Sequence, residues 1–147
     1  MTTVKFYFPD DEEISEYSLG DVDISTDEKL ISSKGDSRKL MMIFISLSDF
    51  SDGIINLIHK KSQKEYEFIG TGSSFRLLIS CHGDMVSINN PQQQTILDMS
   101  CSEIVKALWQ CWQDIEKYIV NLDKKSSVYL DLIYSKDTFK KTFATMI

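Results

Sequence analysis

The sequence predicts an α+β domain, a mainly antiparallel sheet of about five strands with about three helices packed on it. Three observations carry this. Between Tyr66 and Ile88 short apolar segments follow one another, separated only by GTGSS and HGD, the turn residues of an antiparallel meander. Ser102 to Leu122 (SEIVKALWQCWQDIEKYIVNL) has the one long, unambiguous helical period. The strands cluster and do not alternate strictly with helices, as a doubly wound parallel sheet would require.

Val4 to Phe8 (VKFYF) alternates, with Val4, Phe6 and Phe8 on one face, and Pro9 removes a ladder donor where the strand should stop. From Asp10 to Lys39 the chain is polar, acidic and serine-rich. A structureless loop that long is unusual in a compact domain, so one or two short strands or a helical turn are expected, first of all at Asp21 to Ser25 (DVDIS). Leu40 to Leu47 (LMMIFISL) is apolar at all but one position and reads as a central strand. A helix then follows: Ser48 is its N-cap, Asp49 and Asp52 lie in its first turn, Phe50, Ile54, Leu57 and Ile58 form its stripe, and Lys60 and Lys61 end it. Gly53 weakens this helix and implies a close approach by a neighbouring element.

Tyr66 to Ile69, Phe75 to Cys81 and Met85 to Ile88 are the meander strands, and Thr95 to Met99 is a candidate for one more. In the long helix Ile104, Leu108, Cys111, Trp112, Ile115, Tyr118, Ile119 and Leu122 share one side. Ser100 stands three residues before Glu103 in a capping box, with Ser102 as a competing cap. Trp109 flanks the stripe. Val128 to Tyr134 fits a strand or a helix, and Ser135 could cap a last helix carrying Phe139, Phe143 and Ile147. The core should include Phe44, Ile54, Leu57, Phe68, Phe75, Leu77, Ile79, Leu108, Trp112, Ile115 and Ile119.

At 147 residues the chain suits one globular domain that needs no disulfide or metal, with residues 10–39 as its acidic, loop-rich segment. Cys81, Cys101 and Cys111 are odd in number and lack CxxC spacing, so they read as reduced core residues. No basic-then-apolar leader opens the sequence and no apolar run is long enough to span a bilayer; the expectation is a cytoplasmic protein with no membrane partner.

The net charge of −6 is unevenly held. Residues 1–30 contain nine acids, Asp10, Asp11, Glu12, Glu13, Glu16, Asp21, Asp23, Asp27 and Glu28, against Lys5 and Lys29, a balance of −7, while the other 117 residues balance at +1. A pI near 4.9 opposes the counterion release that drives nucleic-acid binding, so no nucleic-acid partner is expected. The same concentration of charge would steer a basic protein into contact, although an acidic run is most often a solvated loop.

Catalytic patterns are sparse. Cys81, His82 and Asp84 are the only place where a thiol, an imidazole and a carboxylate meet in sequence, yet neighbours on a strand point to opposite faces, and HGD reads more simply as a hairpin turn. His59, beside Lys60 and Lys61, fits a solvated helix end. GTGSS lacks the lysine of a P-loop and leads into a strand. No metal-ligand spacing and no cofactor motif is present, so neither a metal nor a cofactor is expected.

Taken together, FISLSDFSDGIINLI, YEFIGTGSSFRLLIS and a long helix opened by SCSEIVKALW, over roughly residues 40–120, resemble the small single-domain immunity proteins of bacterial contact-dependent and other polymorphic toxin systems. The resemblance implies a non-enzymatic protein that binds one cognate toxin domain and blocks its active site or substrate groove; a monomer or weak homodimer is expected. Many such toxins are basic nucleases, which would give the acidic segment a role. The alternatives are a small hydrolase or transferase built on Cys81, His82 and Asp84, and a regulatory adaptor.

Overall fold

Ile43 to Ile54 is a helix (α1), and it takes up most of the apolar run that the sequence suggests is a strand. Only Met41–Met42 is extended, as a two-residue strand. The reason is that the run continues at helical spacing: Ile43, Phe44, Leu47, Phe50 and Ile54 are all fully buried, and a helix covered on several sides reads as a continuous apolar run. Ser48 is therefore mid-helix and caps nothing. The helix starts at Met42 with no side-chain cap, the Ile43 N–H being satisfied instead by the Ser18 carbonyl at 3.2 Å. A π-helical turn, Ile55–His59, extends it.

The computed structural model describes residues 1–9 and 13–147. Its strands form two antiparallel four-stranded sheets in place of the expected single sheet of about five. In the first, β1 (Thr3–Tyr7), β2 (Leu19–Ser25) and β3 (Leu30–Ser32) lie in that order, and β4 (Met41–Met42) pairs with β2. The second is the meander β5 (Glu65–Ile69), β6 (Arg76–His82), β7 (Met85–Asn90) and β8 (Thr95–Ser100). Gly83 has φ +59 in the tight β6–β7 turn, as HGD suggested.

The long helix is α2 (Cys101–Ile119), and the capping box is complete: the Glu103 N–H donates to Ser100 Oγ at 3.1 Å and the Ser100 N–H to Glu103 Oε1 at 3.0 Å. Residues 128–134 belong to one continuous helix, α3 (Ser127–Thr142), capped by Ser126. Ser135 is a buried residue in the middle of that helix and not a cap.

Phe6 of β1, Phe50 of α1 and Phe68 of β5 meet edge-on with ring centroids 5.2 to 6.2 Å apart, so α1 joins the two sheets. Every expected core residue is buried. Trp112 is fully covered, and its indole N–H donates to Ser51 Oγ at 3.0 Å, fixing α2 on α1. Trp109 is half-buried and stacks on Phe139 of α3 with centroids 6.4 Å apart.

Gly53 has the expected close neighbour. A β-carbon there would lie 2.2 Å from the Tyr66 ring, whose hydroxyl donates to the Asp49 carbonyl at 3.0 Å. Gly53→Ala is expected to lower stability by about 1–3 kcal/mol through overpacking, seen as a reduced midpoint in denaturant. An unchanged midpoint would mean that Tyr66 is not held against the helix.

Candidate functional site

Helical spacing places Ile45, Ser48, Asp49 and Asp52 on one face of α1, at i, i+3, i+4 and i+7. On α3 the same rule aligns Ser127, Asp131, Tyr134 and Ser135. These two seams face each other across a groove of about 410 Å³, which Tyr17 from the segment before β2 also lines. Tyr17 and Tyr134 are 59% and 74% exposed, so two phenol rings stand at its mouth. On the other flank of α1, Asp49 and Asp52 also border a shallower hollow with Tyr66, Glu67 and Ile69.

Asp49 and Asp52 are thus a crest between two concavities. Their carboxylates reach water, but the walls remove enough of it to push both pKa values up; for Asp52 the Asp49 and Asp131 charges add to this, while Lys60 and a hydrogen bond from Ser135 oppose it. The Tyr66 hydroxyl is raised by burial first and then by the same two aspartates. No ion pair among the described residues involves Asp49, Asp52, Glu67 or Asp131.

The acidic segment is distributed over several places. Asp10, Asp11 and Glu12 lie outside the described residues. Glu13 is exposed, and Glu16, one residue from Tyr17, accepts the Asp123 N–H at 3.0 Å at the turn before α3. Asp21 and Asp23 project from β2 and are occupied within the sheet, Asp21 accepting from Ser33 Oγ at 2.8 Å and Asp23 from the Tyr7 hydroxyl at 3.2 Å. Burial, followed by the Asp23 and Asp21 charges, raises that tyrosine to about 12. Asp27 pairs with the N-terminal amine and Glu28 is exposed, both in the β2–β3 turn. Glu13 and Glu16 precede Tyr17 in the segment that reaches the groove, whereas Asp27 lies beyond the other end of β2, after Ser25.

Cys81, His82 and Asp84 surround the β6–β7 turn, and among the described residues no hydrogen bond joins one to another. His82 and Asp84 are exposed. Cys81 is half-buried and not a core residue; its sulfur lies 4.0 Å from that of Cys101, also half-buried, whose thiol is raised to about 11 by burial and by the neighbouring Cys81. Cys111 alone is buried, as expected of all three. Among the described residues no three His, Cys, Asp or Glu side chains are placed to hold a metal ion, and no helix is long and apolar enough to cross a membrane.

The sequence reading missed Asp49, Asp52 and Asp131 because it assigned the first two to a helix N-terminus. Their i, i+3 spacing beside Ser48, in an otherwise apolar helix, is the signal that could have found them. No family model, curated protein or solved structure matches this chain.

Proposed function

We propose that the protein is an immunity-type inhibitor, which binds a basic bacterial toxin domain and blocks its active site or substrate groove. The observation that carries this reading is the α1 crest: two carboxylates, partly stripped of water and without an ion-pair partner among the described residues, between concavities edged by tyrosines. Free, such groups repel one another and are under-solvated; a partner that brings positive charge relieves both conditions. Tyrosines beside them supply large contact area at little entropic cost, as in the centres of protein interfaces. Glu13 and Glu16 extend the negative field along the chain from the groove and would act on approach; Asp10, Asp11 and Glu12 precede them in sequence and add to the negative charge of the chain.

Immunity genes lie directly downstream of their toxin genes, so the partner to test is the product of the gene immediately upstream. The two proteins should form a one-to-one complex whose association rate falls steeply as salt is raised. Converting Asp10, Asp11, Glu12 and Glu13 to their amides should slow association at low salt and have little effect at high salt. An acidic partner, or an association rate indifferent to salt, would remove the basis of the proposal.

A further inference from the structure

Helix α1 carries three buried serines, and their hydroxyls differ in one respect. Ser46 accepts the Thr71 N–H at 3.0 Å and Ser51 accepts the Trp112 indole at 3.0 Å. Ser48 is 8% exposed and lines the α1–α3 groove, yet its hydroxyl has no hydrogen-bond partner among the described residues. Buried hydroxyls are nearly always paired, and leaving one unpaired is unfavourable. Ser48 shares the lining of this groove with Asp49, Asp52 and Asp131, and no Lys or Arg is among the lining residues.

We propose that this groove receives an arginine side chain of the partner protein, its guanidinium held among Asp49, Asp52 and Asp131 and one of its N–H groups donating to Ser48. This rests on the reading of the protein as a binder of a basic partner. The acceptors are several and come from two helices, which suits the five donors of a planar guanidinium better than the compact ammonium of lysine. Tyr17 and Tyr134 offer ring faces to the cation at the mouth. Ser48 Oγ is closed off from bulk water, so a guanidinium reaches it only by displacing the side chains that cover it. The volume of about 410 Å³ is within the range of sites that enclose a small ligand.

The test is a titration followed by backbone amide NMR shifts, using N-acetyl-arginine-N-methylamide, its lysine counterpart and free arginine as probes. The capped arginine should give saturable shifts at Ser48, Asp49, Asp52 and Asp131, with several-fold tighter binding than the capped lysine. Ser48→Ala should weaken it several-fold while melting at or above the wild-type temperature, because the substitution removes an unpaired buried hydroxyl. Asp52→Asn should also weaken binding without loss of fold. Linear shifts, equal binding of arginine and lysine probes, or full affinity in S48A would overturn the assignment. Tighter binding of free arginine than of the capped form would overturn it too, by indicating a small-molecule site. Saturable binding of the capped arginine with no complex to the upstream gene product would sustain the pocket and remove the immunity reading. A tight complex unaffected by S48A and D52N would do the reverse.

Discussion

Replacing Asp49 and Asp52 together by lysine should slow association with the basic partner by about 100-fold at low ionic strength, the range over which electrostatic steering acts. The slowing should shrink as salt rises, while a faster dissociation, reporting lost contacts at the centre of the interface, should persist. The two aspartates should titrate together with binding. Each folded-state pKa is raised above its ordinary value of 3.8, so each favours the folded state below that value and loses this contribution as pH rises through the raised pKa. At neutral pH the pair therefore opposes folding slightly, and D49N/D52N should melt no lower than wild type. A bound cation pulls both pKa values down, so affinity should fall as pH is lowered into the range above 3.8. Asp131, Glu67, Lys60, Tyr66, Tyr17 and Tyr134 face the pair. The Asp131 charge adds to the repulsion felt by Asp52, and Lys60 subtracts from it. Affinity that is flat with pH would mean that Asp49 and Asp52 stay outside the contact.

Trp112→Ala should be the most damaging single truncation in the core, costing about 3–5 kcal/mol, a large part of the 5–15 kcal/mol that holds a typical domain. The ring is fully buried and its indole N–H is the partner of Ser51, so the substitution opens a cavity and orphans a hydroxyl in one step. Trp112→Phe separates the two effects: most of the volume is kept, and the loss should approach the roughly 1–3 kcal/mol of an unpaired buried polar group. Equilibrium denaturation of both variants checks this. A Trp112→Phe variant as stable as wild type would show that the Ser51 hydrogen bond contributes nothing net.

The period of α2, its capping box, the β5–β8 meander and the buried set around Trp112 were all readable, because each depends on local spacing or on two turn residues. The helix carrying Phe50, Ile54, Leu57 and Ile58 was readable too, but its start within Leu40 to Ser48 was not. Eight residues with a single polar one fit a buried strand or a buried helix equally, and a serine followed by two aspartates imitates a cap. What decided the conformation is tertiary: Ser18 supplies the carbonyl that an uncapped Ile43 needs, and both sheets cover the helix. Division into two sheets depends on β2 turning back to β3 and β4 through a polar segment of weak alternation, for which no pattern within the segment is diagnostic. The groove was hidden for a related reason. Its acids come from helices far apart in sequence, while the dense acidic run near the N-terminus drew attention to charge that β2 partly consumes in its own hydrogen bonds.

Hydrogen exchange of the free protein and of its complex with the upstream gene product tests the central claim most directly. The account predicts new protection in residues 45–52 of α1, in 127–135 of α3 and around Tyr17, with the β6–β7 turn at His82 and Gly83 exchanging as before. Protection confined to that turn or to β8, with the α1–α3 groove as open in the complex as in the free protein, would contradict it.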